Sequence, residues 1–186
     1  MIKIQKLSEC DNPKFIKPKR LFYTQDGKEK SWEIVQTHDS VAILLFDMQK
    51  EIFILVKQFR PAVFMRDTDG YTYELCAGLI DKDKDIVTIA KEEIFEECGY
   101  EVDQKDIHKI TSFYTAVGFA GGKQTLFYAQ VDDSMKVHQG GGIDDEKIEV
   151  ISLSFDEARE FMYDESKVKT PGLLFAFMWF FDKYKK

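Results

Sequence analysis

The sequence predicts a layered fold of the α/β or α+β kind, and three observations carry that reading. Apolar runs of strand length fill much of the first 80 residues. Helical spacing takes over at 85–99. After three more strand-like runs the chain closes on two helical segments. Strands, a helix, strands again and two helices is the order expected when a sheet and helices pack as layers. No internal repeat or low-complexity run interrupts it.

The elements follow in order. In RLFYTQDGKEKSWEIVQ (20–36), two β-rich runs flank Asp26-Gly27, a dipeptide that favours a tight hairpin turn. A second hairpin occupies SVAILLFDMQKEIFILVKQF (40–59), with apolar runs of buried-strand length. YTYELCAGLI (71–80) alternates in part and reads as one strand entering a turn near Gly78. DIVTIAKEEIFEECG (85–99) carries apolar residues at 86, 87, 90, 94 and 98, close to helical spacing, and Gly99 suits the residue just past a helix end. Strands are expected at 108–117, 124–131 and 147–153, and helices at 155–164 and 172–186, the last a terminal helix docked behind Pro171. Residues 1–38 form an expected small β-domain, 39–186 the main domain, and THDSV (37–41) the junction.

Composition narrows the function. The 186 residues are 44% hydrophobic, enough for a real core, and carry a net charge of −7. That charge disfavours nucleic acid as a partner, because a phosphate backbone needs a positive stripe. Cys10, Cys76 and Cys98 are odd in number and form no CxxC pair, which suggests free thiols and a reducing compartment. MIKIQKLSEC lacks the apolar centre of a signal peptide, and no run approaches membrane-spanning length. The expected setting is the cytoplasm, with no membrane partner.

KEEIFEECGY (91–100) poses the main question. It holds Glu92, Glu93, Glu96 and Glu97 at the C-terminal end of a helix. Like charges one turn apart repel, and this is the end where the helix dipole disfavours anions. Glu93, Glu96 and Glu97 share one helical face. A solvated acidic surface is one reading. The other is a site for Mg²⁺ or Mn²⁺, which bind through few carboxylates plus water and substrate phosphates. A second acidic cluster, GGGIDDEKIEV (140–150), places Asp144, Asp145 and Glu146 behind a glycine run read as a mobile loop. It reads as a surface turn, or as the source of a further ligand or a general base.

From Gly78 to Tyr100 the chain resembles the box of the Nudix hydrolase family, G-x5-E-x7-R-E-U-x-E-E-x-G-U, with U a bulky apolar residue. Gly78, Glu93, Ile94, Glu96, Glu97, Gly99 and Tyr100 are in register. Lys84 replaces the first Glu and Glu92 the Arg, so both charges are reversed. Lys84 and Glu92 facing each other as a reversed pair, Lys91 standing in for the Arg, or two unrelated surface residues are the alternatives. Longer segments, among them LVKQFRPAV, KQTLFYAQV and KTPGLLFAFMWF, resemble the family's nucleotide-sugar hydrolases from about residue 30 onwards. The resemblance implies an α/β/α Nudix sandwich with a small N-terminal antiparallel β-domain, exchanged in a homodimer. It implies metal-dependent hydrolysis of a nucleoside diphosphate sugar, with UDP-glucose giving UMP and glucose 1-phosphate.

By the same resemblance, Glu93 and Glu97 are metal ligands and catalytic, Glu96 a neighbouring ligand, and the Ala77 carbonyl and Glu146 further ligands. Asp144 or Asp145 is the implied base. Arg60 is expected to fork onto diphosphate oxygens. Glu74 is expected to meet sugar hydroxyls or the metal shell. Phe119 and Gln124, in and beside the loop TAVGFAGGKQT (115–125), are candidate substrate contacts. Trp32 is either a base-stacking aromatic from the N-terminal unit or a plain core residue. Ala116 stands where related ADP-ribose hydrolases carry a proline, which argues mildly against that substrate. Hydrolysis of ADP-ribose or another ADP-sugar, and a Nudix-fold module that binds nucleotide sugars without cleaving them, are the alternatives.

Overall fold

The computed structural model describes residues 2, 4–13, 16–66, 68–143 and 146–184. Nine strands and four helices are formed among them, with two short 3₁₀ turns. The strands are β1 (Lys17–Gln25), β2 (Lys28–Gln36), β3 (Ser40–Asp47), β4 (Ile52–Phe59), β5 (Tyr71–Glu74), β6 (Cys76–Leu79), β7 (His108–Thr115), β8 (Gly122–Val131) and β9 (Ile148–Ser154). The helices are α1 (Pro61–Phe64), α2 (Ile86–Cys98), α3 (Phe155–Tyr163) and α4 (Pro171–Lys183).

β1 and β2 make a separate two-stranded antiparallel sheet. Asp26 and Gly27 both take positive φ, 54° and 74°, as a two-residue primed turn requires. The remaining strands form one mixed sheet of seven, with β5-β4-β3-β8-β7 as its main order, β6 also paired to β3 and β9 to β4. β3 lies at its centre, antiparallel to β4 and β6 and parallel to β8.

β3 explains the layering. Successive side chains point to opposite faces of a strand. Val41, Ile43 and Leu45 enter the core beneath α2, while Ala42, Leu44 and Phe46 enter the core beneath α3 and α4. Both faces are covered, so the strand is a continuous apolar run rather than an alternating one. α4 brings Phe177 and Phe180 onto Phe53, with ring centroids 4.7 and 4.9 Å away. Burying each such ring is worth roughly 1.5–3 kcal/mol.

The helices start and stop where their end residues dictate. Asp85 accepts from the Val87 and Thr88 N–H groups at the start of α2, both at 3.0 Å. Gly99 closes α2 with φ 71°. Ser154 and Glu157 form a reciprocal capping box at the start of α3. Thr170 caps α4 ahead of Pro171.

Two features differ from the sequence reading. The expected single strand at 71–80 is two strands, because Leu75 separates a segment paired with β4 from one paired with β3. α1, one turn begun by Pro61, follows Arg60 where no element was expected.

Candidate active site

α2 lies across β6, and a glycine sets how closely they meet. A Cβ on Gly78 would drive into the Glu93 carboxylate. Without it, Glu93 rests against the strand backbone. One turn later Glu97, only 5% exposed, accepts the Ala77 N–H through Oε2 at 2.9 Å. Burial pushes Glu93 up to about 7, with Glu96 and Glu146 adding repulsion. Burial pushes Glu97 up to about 8; the Ala77 N–H opposes this, while Glu93 and Glu146 reinforce it. Two desolvated carboxylates one turn apart are therefore short of positive charge.

Among the described residues, no three or more His, Cys, Asp or Glu side chains converge into a metal cage. The pair fits the open kind of site, in which one or two carboxylates hold Mg²⁺ and water or substrate phosphate completes the shell. Glu96 is half-buried beside the pair. Glu146 is exposed, and its Oε2 accepts the Ile143 N–H at 3.3 Å. The expected bases, Asp144 and Asp145, lie outside the described residues.

The glycine run before them is pinned to α2. Gly140, Gly141 and Gly142 all have positive φ, at 74°, 113° and 84°. The Gly141 N–H donates to the Glu97 carbonyl at 2.8 Å, and that of Gly142 to the Glu96 carbonyl at 3.1 Å. Lys136 Nζ donates to the Cys98 carbonyl at 2.6 Å. The loop that carries Glu146 is thus built onto the last turn of the acidic helix.

Arg60, at the end of β4, makes a two-pronged contact with Glu74: Nε to Oε1 and Nη2 to Oε2, both 2.8 Å. The Thr72 hydroxyl donates to the same carboxylate. Glu74, chiefly, tightens the hold of the guanidinium on its proton, and Glu97 and Glu146 add to it. Arg60 therefore shares the electrostatic neighbourhood of Glu97 and Glu146. Glu74 is buried and already partnered, so it serves as the seat of Arg60 as the protein stands. A cavity of about 390 Å³ opens beside it, lined by Glu74, Ala77, Phe113, Gln124 and Gly172 among others. Gln124 is held there by donating Nε2 to Ser40 Oγ at 3.2 Å.

Trp32 and Phe119 sit together elsewhere. Trp32 is 55% exposed, so it is not a core residue. Its indole N–H donates to the Gly118 carbonyl at 2.7 Å, and the Val35 N–H donates to the Phe119 carbonyl at 2.7 Å. These bonds tie the N-terminal hairpin to the 116–121 loop. Phe119 lines a cavity of about 700 Å³ along that hairpin, not the one beside Glu74.

Lys84 and Glu92 do face each other. They form an ion pair, with Lys82 Nζ 3.7 Å from the second Glu92 oxygen. This is the reversed-pair alternative, and it ties the loop before α2 to the middle of the helix. The sequence reading missed Thr72 and Lys136. Thr72 had a usable signal: it lies two residues before Glu74 and so on the same face of the strand. Lys136 had none, because it meets α2 through the fold alone.

This arrangement can be compared with known proteins. The chain is 37% identical to the uridine diphosphate glucose pyrophosphatase of Bos taurus, over 94% of its own length and 92% of the relative's. It is 34% identical to that of Mus musculus, over 94% and 91%. A GDP-mannose pyrophosphatase of Cronobacter sakazakii is 39% identical over 69% of this chain and 66% of its own. A family model described as the NUDIX domain matches residues 36–171. That match spans the mixed sheet, the Gly78–Glu93 contact and the buried Glu97, and the chain belongs to the Nudix family.

Proposed function

We propose that this protein hydrolyses the pyrophosphate bond of nucleoside diphosphate sugars with Mg²⁺ or Mn²⁺, and that UDP-glucose is cleaved to UMP and glucose 1-phosphate. The observation that carries this is the pair of half-buried Glu93 and buried Glu97 pressed against β6, with Glu97 in reach of the field of Arg60. A bound divalent ion would neutralise phosphate oxygens and position the attacking water. Glu93 and Glu97 would hold it, with Glu96, Glu146 and the Ala77 carbonyl as the nearest additional donors. Arg60, with its fork preset on Glu74, would shift one or both prongs to the diphosphate. Asp144 or Asp145 would take the water proton. The cavity beside Glu74 and Gln124 would receive the rest of the substrate. The choice of UDP-glucose leans on the two mammalian relatives, whose names carry that substrate and which the chain matches nearly end to end.

We further infer a homodimer built through the N-terminal hairpin. All of β1 is exposed, and Leu21, Phe22 and Trp32 stand 50%, 75% and 55% open. A two-stranded ribbon with that much apolar surface is marginal alone in water. The free thiols of Cys10, Cys76 and Cys98 suit a reducing compartment, and we assign the cytosol.

A panel of nucleotide sugars with Mg²⁺ and Mn²⁺, run beside Glu97→Gln, tests the reading. UMP release from UDP-glucose is expected to exceed AMP release from ADP-ribose. The variant is expected to lose about 10²-fold or more in turnover. Near-normal turnover of Glu97→Gln would remove the metal assignment. Tight UDP-glucose binding without UMP release would make the protein a binding module.

A further inference from the structure

We propose that a cavity at the C-terminal end of α4 binds a planar heteroaromatic anion of nucleoside monophosphate size. The cavity holds about 460 Å³ and is lined by Lys109, Tyr128, Gln130, Trp179, Lys183 and Tyr184 among others. It lies apart from the carboxylate site. Tyr128 is four residues beyond Gln124 on β8, roughly 13 Å along the strand. It also belongs to the core beneath α4, on the sheet face opposite α2.

The chemistry of the lining sets the ligand class. Tyr128 is 3% exposed, and its hydroxyl is buried with no hydrogen-bond partner among the described residues. Gln130 and Tyr184 are near enough to influence its ionisation, but neither completes a bond of acceptable geometry. A buried polar group without a partner is costly, and Tyr128 lines the cavity, so the hydroxyl invites a ligand that satisfies it. Around it stand aromatic walls. The Trp179 and Tyr184 rings are 5.4 and 5.9 Å from the Tyr128 ring. Lys183 Nζ lies 5.0 Å over the Trp179 ring, which places a cation at the rim of an aromatic surface. Lys109 forms no ion pair among the described residues and brings a second cation to the lining, so two lysines stand there against the one carboxylate of Asp106. A flat ring with polar edges uses the aromatic walls, the Gln130 amide and the Tyr128 hydroxyl. An attached phosphate uses the lysines.

The proposal does not depend on the hydrolytic reading, and its test keeps them separate. Trp32 and Trp179 are the two tryptophans of the chain, so Trp32→Phe leaves Trp179 as the reporter inside this cavity. The full chain carrying that change is titrated with UMP, and separately with inorganic phosphate, in excess chelator. Saturable fluorescence change is expected with UMP and not with phosphate. Adding Lys109→Glu should weaken the UMP response about tenfold, or ~1.4 kcal/mol. Tyr128→Phe should weaken it as well without lowering the melting temperature, because the hydroxyl makes no bond among the described residues. No saturable response to UMP overturns the proposal. So does an equal response to phosphate alone, or a response that neither variant weakens. A lowered melting temperature for Tyr128→Phe with unchanged UMP binding also overturns it, since the hydroxyl would then be structural.

Discussion

Glu97 makes a quantitative prediction about the metal-free protein. Its carboxyl is raised from 4.5 to about 8, chiefly by burial. A carboxyl whose folded pKa exceeds its unfolded one holds an extra proton in the folded state between the two values. Folding is therefore favoured by acid, and this contribution is lost as pH climbs from 4.5 towards about 8 and then levels. At ~1.36 kcal/mol per tenfold in proton affinity, the full loss is about 5 kcal/mol, an upper figure that local relaxation would reduce. Glu97→Gln keeps the size, keeps an oxygen to accept the Ala77 N–H, and removes the charge. In chelator, the variant should be more stable than the parent by several kcal/mol near pH ~9 and about equal near pH ~4.5. Excess Mg²⁺ should raise the stability of the parent and leave the variant nearly unmoved. Urea unfolding at the two pH values, with and without Mg²⁺, measures all four quantities. A variant less stable than the parent at the higher pH would refute the reasoning, because the buried charge would then be compensated without a metal.

Three other perturbations have defined outcomes. Lys84→Glu or Glu92→Arg alone should each cost about 0.5–1 kcal/mol and some activity, while the double exchange recovers most of both; equal activity in all three variants would dismiss the pair. Gly140→Ala forces a side chain into positive φ and against the Glu97 carbonyl, so it should destabilise by at least ~1 kcal/mol and lower kcat, read by thermal melts and UMP release. Arg60→Lys removes the two-pronged contact with Glu74 and should raise KM for UDP-glucose more than it lowers kcat; an unchanged KM would take Arg60 out of substrate binding.

Much of the fold was legible because local chemistry agreed with the tertiary result. Asp26-Gly27 dictates its turn, Gly99 its helix end, and the apolar run of β3 its burial on both faces. The strand expected at 71–80 is divided, and nothing in YTYELCAGLI reveals that its halves pair with different neighbours. At the site, the spacing of Glu93 and Glu97 was visible, and so was the reversed charge at Lys84 and Glu92. The partnership of Arg60 with Glu74 was not, since it depends on β4 and β5 lying side by side. The setting of Trp32 was also hidden, because the Gly118 carbonyl that fixes its indole is 86 residues away.

The crowding of acids at the end of α2 first suggested two costs, mutual repulsion and the wrong pole of the helix dipole. The geometry reorders them. The carbonyls of Ile94, Phe95, Glu96, Glu97 and Cys98 accept from the Tyr100, Gly99, Gly142 and Gly141 N–H groups and from Lys136 Nζ. The negative pole is thereby largely answered by backbone donors and one lysine. For both Glu93 and Glu97 the leading perturbation is removal from water, ahead of repulsion from any neighbouring acid. Desolvation is thus what leaves the pair in need of a cation. The glycine loop that blunts the dipole also carries Glu146 to the same place, so one segment both permits the acidic helix end and adds to its charge.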